Sequence, residues 1–95
     1  MKNYRYIPKE VCQKAFETWG KKAQMMMALE EMSELQKEIL KNINREKDNL
    51  KELAEETADV FIMLEQLVHI YGIEEDVKKQ AEYKVGRVKG YLGME

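Results

Sequence analysis

Apolar residues recur along the chain at intervals of three and four, the period of a helix rather than of a strand. Val11, Ala15, Phe16 and Trp19 form one such face, and Pro8 suits the first helical turn ahead of them. The pattern predicts a first helix from Pro8 to about Trp19, which Gly20 ends or kinks. Met25, Ala28, Leu29, Met32, Leu35 and Ile39 share one side of a second helix, from about Lys22 to Leu40 or Asn42. The polar stretch Asn42 to Lys47 has the length of a helix–helix connection. Asp48 is placed to cap the next helix, although Lys51 stands where a full capping box has Glu.

A third helix is expected over Asn49 to Tyr71. Leu50, Leu53, Ala54, Thr57, Val60, Phe61, Leu64, Leu67, Val68 and Tyr71 make its stripe continuous. From Val60 onward Ile62, Met63 and Ile70 fill the opposite side, so this half is expected to be buried on several sides. Gly72 sits where a C-cap belongs. The fourth helix, about Glu74 to Tyr91, has a thin apolar side (Val77, Ala81, Val85, Val88, Leu92) and a basic one with Lys78, Lys79, Lys84, Arg87 and Lys89. No stretch alternates as a strand would. The chain reads as a single all-α domain over residues 1–95. So short a chain covers a modest share of its apolar surface, so part of the third helix is expected to face a second copy.

Charge and cysteine usage narrow the partners. Charged residues make up 36% of the chain, yet the net charge is −2, which weighs against a nucleic-acid polymer as partner. Cys12 is the single cysteine, which rules out an intrachain disulfide and, with one histidine, a thiolate zinc site. No run of 18 apolar residues is present to span a membrane. Met1 to Lys9 carries charge but no long apolar run, unlike a signal peptide. A cytoplasmic protein is expected.

The main chemical signal is an acidic phrase written twice, 25 residues apart. Glu30-Glu31-Met32-Ser33-Glu34 is matched by Glu55-Glu56-Thr57-Ala58-Asp59, and the apolar neighbours Met25, Leu35 and Ile39 are matched by Leu50, Val60 and Leu64. Residues three apart on a helix lie ~60° apart in azimuth and ~4.5 Å apart along the axis. Glu31 with Glu34, and Glu56 with Asp59, can therefore aim in nearly one direction beside each apolar stripe. Helices packed on those stripes would bring four carboxylates together, and such a group needs a counter-charge. A divalent cation supplies one. Glutamate-rich helices are otherwise commonly solvated and paired with lysine at i,i+4, but Glu34–Glu38 and Glu52–Glu56 are like-charge pairs at that spacing.

The pattern Glu31-x-x-Glu34 followed by Glu56-x-x-Asp59, with Trp19-Gly20 and Gln24 ahead of Glu30-Glu31, resembles the all-helical nucleoside triphosphate pyrophosphohydrolases of the MazG type. The resemblance covers about residues 19–92. Phe61 and Ile62 after Val60 depart from the signature of the phosphoribosyl-ATP branch. The resemblance implies a four-helix-type bundle completed by dimerisation, sometimes built up to a homotetramer. It implies hydrolysis of a nucleoside triphosphate to monophosphate and pyrophosphate, with Glu31, Glu34, Glu56 and Asp59 holding Mg2+ and forming the catalytic set. Mn2+ is the other candidate ion. It also points to Lys84 and Arg87 for the triphosphate. These two share a helix face, which otherwise reads as a solvated basic surface.

Trp19 and Gln24 are candidates for the nucleoside, since an indole can stack on a base and an amide can read its edge. Core packing is the competing role for Trp19. His69 reads as structural, Met25-Met26-Met27 as core and interface filler, and Cys12 as semi-buried. Two other classes stay open: a helical protein-interaction module, which the apolar half of the third helix would equally serve, and a metal-binding bundle without catalysis.

Overall fold

The computed structural model describes residues 6–45 and 48–94. The charged N-terminal stretch before residue 6 and part of the expected connection, residues 46 and 47, lie outside them. Among the described residues the chain is all-helical, with three helices and no strand: α1 (Lys9–Arg45), α2 (Leu50–Tyr71) and α3 (Glu74–Tyr91).

The two helices expected before residue 45 run on as one element, broken at Gly20 (φ 83°, ψ 167°). That conformation belongs almost only to glycine, and it turns residues 9–19 away from the axis of residues 21–45. The first arm returns onto the C-terminal half of α2. Glu65 Oε1 accepts the backbone N–H groups of both Tyr6 and Ile7, at 2.9 and 3.0 Å. The Tyr6 ring stacks on Phe61 with centroids 4.8 Å apart. His69 Nε2 lies 2.8 Å from Gln13 Oε1, an atom that only accepts, so the imidazole carries its proton on Nε2. His69 thus links the first arm of α1 to α2.

The long arm of α1 runs antiparallel to α2, and Asn49 sets their register. The residue is 3% exposed. Its Nδ2 donates to Glu38 O and to Glu38 Oε1, both at 2.9 Å, and its Oδ1 accepts from Asn42 Nδ2 at 3.0 Å. Asp48 does not cap α2; Asn49 holds the N-cap position, and its side chain turns to α1 rather than to its own helix. At the other end Gly72 is left-handed (φ 63°), and the N–H groups of Gly72 and Ile73 close onto His69 O and Val68 O, the double closure of a Schellman turn.

α3 stands apart. Its backbone approaches α2 at few positions and α1 at none, and no residue in it is buried. One long ion pair, Lys9 to Glu74 at 3.9 Å, joins its first turn to α1. The radius of gyration, 16.0 Å, exceeds the ~13 Å of a compact chain of about this length. The expectation that the second half of α2 is buried on several sides is not met within one chain. Met63 and Gln66 alone are buried on α2, while Phe61, Leu64 and Tyr71 remain exposed, because one helical layer covers only one side of it. The core is small and partly polar: Ile7, Cys12, Ala15, Ala28 and Met63 with Gln24, Asn49 and Gln66.

Candidate functional site

The antiparallel register carries Glu31 of α1 opposite Glu56 and Asp59 of α2. Each offers a carboxylate oxygen, and the three oxygens lie within 4.8 Å of one another. Glu31 and Glu56 are half-buried and Asp59 is exposed. Glu56 Oε2 is sealed from solvent without a hydrogen-bond partner. An unpaired carboxylate oxygen in that position is unfavourable.

Every charge that acts on Glu31 and Glu56 is negative. Burial raises the Glu31 pKa, aided by a hydrogen bond with Asp59 and by the charges of Asp59, Glu56 and Glu30. Burial likewise raises that of Glu56, followed by the charges of Asp59, Glu34, Glu38 and Glu55. Among the described residues, Glu31, Glu56 and Asp59 therefore converge without a lysine or arginine acting on Glu31 or Glu56.

The fourth expected carboxylate, Glu34, stays out of the cluster. It is exposed and pairs with Lys37 at 3.3 Å, one turn along its own helix. It still contributes to the negative potential at Glu56. Glu38 is held by Asn49 and by Lys41, at 3.1 Å from the latter. Its side chain ties the hairpin together.

The nucleoside and phosphate candidates are more scattered. Trp19, 58% exposed, flanks the Gly20 break. It lines a cavity of about 310 Å³ with Val11, Lys14, Ala15, Thr18 and Gln66, where the first arm of α1 crosses α2. Gln24 is 0% exposed, so in this chain it does not face a solvent-accessible ligand. Its Oε1 has no hydrogen-bond partner, and its Nε2 has only a long contact of 3.9 Å with Met27 Sδ. Lys84 and Arg87 lie exposed on α3, with the Arg87 guanidinium 5.8 Å from the Tyr83 ring centre. α3 does not approach α1 and meets α2 at few positions, and neither cation is among the charges acting on Glu31 or Glu56 in a single chain.

Two residues escaped the sequence reading. Asn49 looked like the start of a helix, not the pin of a hairpin. Gln66 follows Met63 by three residues on the inner stripe of α2, and a polar residue on an apolar stripe was its available signal.

Compared with protein-family models, with curated proteins and with solved structures, the chain matches none. No comparison supports the resemblance to the pyrophosphohydrolases, which rests on the motif residues alone. Three oxygens from two helices form a ligand set for a hard divalent cation, which takes oxygen donors and leaves positions open for water or phosphate. Two oxygens on one Mg2+ lie at most ~4.2 Å apart, so small side-chain movements would close this set on an ion.

Proposed function

We propose that the protein is a Mg2+-dependent nucleotide pyrophosphohydrolase, a hydrolase of phosphoric anhydrides that converts a nucleoside triphosphate to the monophosphate and pyrophosphate. The observation that carries this reading is the sealed, unpartnered Glu56 Oε2 within the Glu31, Glu56 and Asp59 cluster. A solvated acidic surface would leave that oxygen in water. Glu31, Glu56 and Asp59 would hold the ion, and Glu34, on the rim, would act through its charge or through a water. Bound Mg2+ would neutralise triphosphate charge and lower the pKa of a coordinated water. The chain's own part is to fix the carboxylates on two rigid helices in a set register. Mn2+ offers the same hard-oxygen chemistry.

The active form in this reading is a homodimer or homotetramer, with a four-helix bundle completed between copies. The support is α3, an 18-residue helix with no buried residue and with Val77, Val85, Val88 and Leu92 exposed. In proteins most helical stability comes from packing an amphipathic face, which α3 lacks within one chain. A second copy would cover it and would give Lys84 and Arg87 a route to a triphosphate on a neighbouring cluster. The same exposed face favours a second reading, a helical module that binds another protein.

A panel of nucleoside triphosphates, with Mg2+ or with EDTA, separates these readings. Expected are pyrophosphate release with Mg2+, none with EDTA, and a loss of at least ~100-fold in Glu56→Ala, beyond what substitutions of residues that merely support a metal's ligands produce. Absence of turnover on every nucleotide, or an unchanged rate in Glu56→Ala, overturns the enzyme reading.

A further inference from the structure

The cavity beside Trp19 contains an unexplained polar group. Gln66 is 6% exposed and lines the cavity, yet its amide makes no hydrogen bond among the described residues. Neither amide atom is sealed from solvent, so the polar end of this otherwise buried side chain is wetted at the cavity wall and open to a ligand there. The remaining walls are largely apolar, with Val11, Ala15 and the Trp19 ring. At about 310 Å³ the cavity is at the small end of ligand pockets, which begin at ~300 Å³, and an apolar pocket with one polar group suits a planar heterocycle.

Position links this cavity to the carboxylates. Gln66 follows Asp59 by seven residues on α2. Two helical turns separate them by ~10.5 Å along the axis and by only ~20° in azimuth. That span is comparable to the one from the α-phosphate to the far edge of the base in an extended nucleotide. Asp59, Met63 and Gln66 thus form a ruler along one helix, with anionic chemistry at one end and an amide at the other.

We propose that this cavity is the base subsite, in which the Gln66 amide pairs with the donor–acceptor edge of a nucleobase and the Trp19 ring lies against the base's face. The proposal rests on the nucleotide reading above and adds where the base is read. An amide offers one acceptor and two donors side by side, the arrangement that pairs with adjacent groups on a base edge. Lys14, on the cavity wall, adds a positive charge beside an otherwise apolar pocket.

Trp19 is the single tryptophan, so its fluorescence reports this cavity alone. The full-length protein in EDTA is titrated with each common unphosphorylated nucleoside and, as control, with ribose. Saturable quenching by at least one nucleoside and none by ribose is expected. Gln66→Leu is expected to weaken that binding ~10-fold or more. Gln66→Glu, which exchanges donors for acceptors, is expected to change the order of preference among nucleosides. No saturable quenching by any nucleoside overturns the proposal, as does Gln66→Leu binding within about twofold of wild type. Metal and hydrolysis play no part in this titration, so its failure is distinct from failure of the pyrophosphohydrolase reading.

Discussion

Replacing Asn49 by alanine tests the register on which the carboxylate cluster depends. The substitution removes three hydrogen bonds at a position 3% exposed. The bonds with Asn42 and with Glu38 O join neutral groups and are worth ~1 kcal/mol each, while the one to the Glu38 carboxylate is worth ~1.5–3 kcal/mol. Asn42 and Glu38 are only half-buried, so water regains part of this once the side chain is gone. The net loss expected is ~2–4 kcal/mol, a large fraction of the ~5–15 kcal/mol that stabilises an ordinary domain. With a urea m-value of ~2 kcal/mol/M, the middle of the usual range, the unfolding midpoint should fall by ~1–2 M. Equilibrium urea unfolding followed by circular dichroism measures it. A loss below ~0.5 kcal/mol, the size of an ordinary surface substitution, would refute the assignment of Asn49 as the pin between α1 and α2. The variant should also bind divalent cations more weakly, because Glu31 would no longer be held opposite Glu56 and Asp59.

The same geometry carries further expectations. Gly20→Ala should destabilise by ~1–3 kcal/mol through backbone strain alone, since a Cβ there meets no atom within 4 Å; thermal melts check this, and near-UV circular dichroism of Trp19 reports whether the first arm has moved. Glu31 and Glu56 have raised pKa values, so the folded chain keeps protons that the unfolded chain has released. Their contribution to stability is present below the ordinary carboxylate range, ~4.3, and is lost as pH rises through the raised folded values. In EDTA, the difference in stability between Glu56→Gln and wild type should therefore grow in favour of the variant as pH rises across that window. At neutral pH Mg2+ should raise the wild-type melting temperature, with ~2.7 kcal/mol gained at a hundredfold excess over Kd, and should leave Glu56→Gln nearly unmoved. Cys12 is 1% exposed, and burial together with the Glu65 carboxylate pushes its thiol above the usual range, so a thiol reagent should label it only on unfolding.

The local order of the chain was readable because it rests on local chemistry. Pro8 before the first helix, Gly20 at the break and Gly72 after α2 each answer to a backbone requirement that one residue type meets best. The convergence of Glu31 with Glu56 and Asp59 was readable because helical phase and a matched apolar stripe together fix which faces meet. The stand-off of α3 was not, since the pattern of Val77, Val85 and Val88 shows an apolar face but not whether its own chain covers it. Nor was the role of Glu34: Lys37 stands one turn away in the sequence, but the choice between that partner and the cluster depends on side-chain position. Asn49 and Gln66 owe their meaning to what lies across the helix interface, where the one-dimensional pattern is silent.

The most direct test of the central claim is hydrolysis in 18O-labelled water. The purified protein with Mg2+ and nucleoside triphosphate is monitored by phosphorus NMR, which identifies the products and locates the isotope. Attack at the α-phosphorus predicts pyrophosphate as the leaving product and the label in the monophosphate. Release of orthophosphate, or no product from any nucleotide, would contradict it.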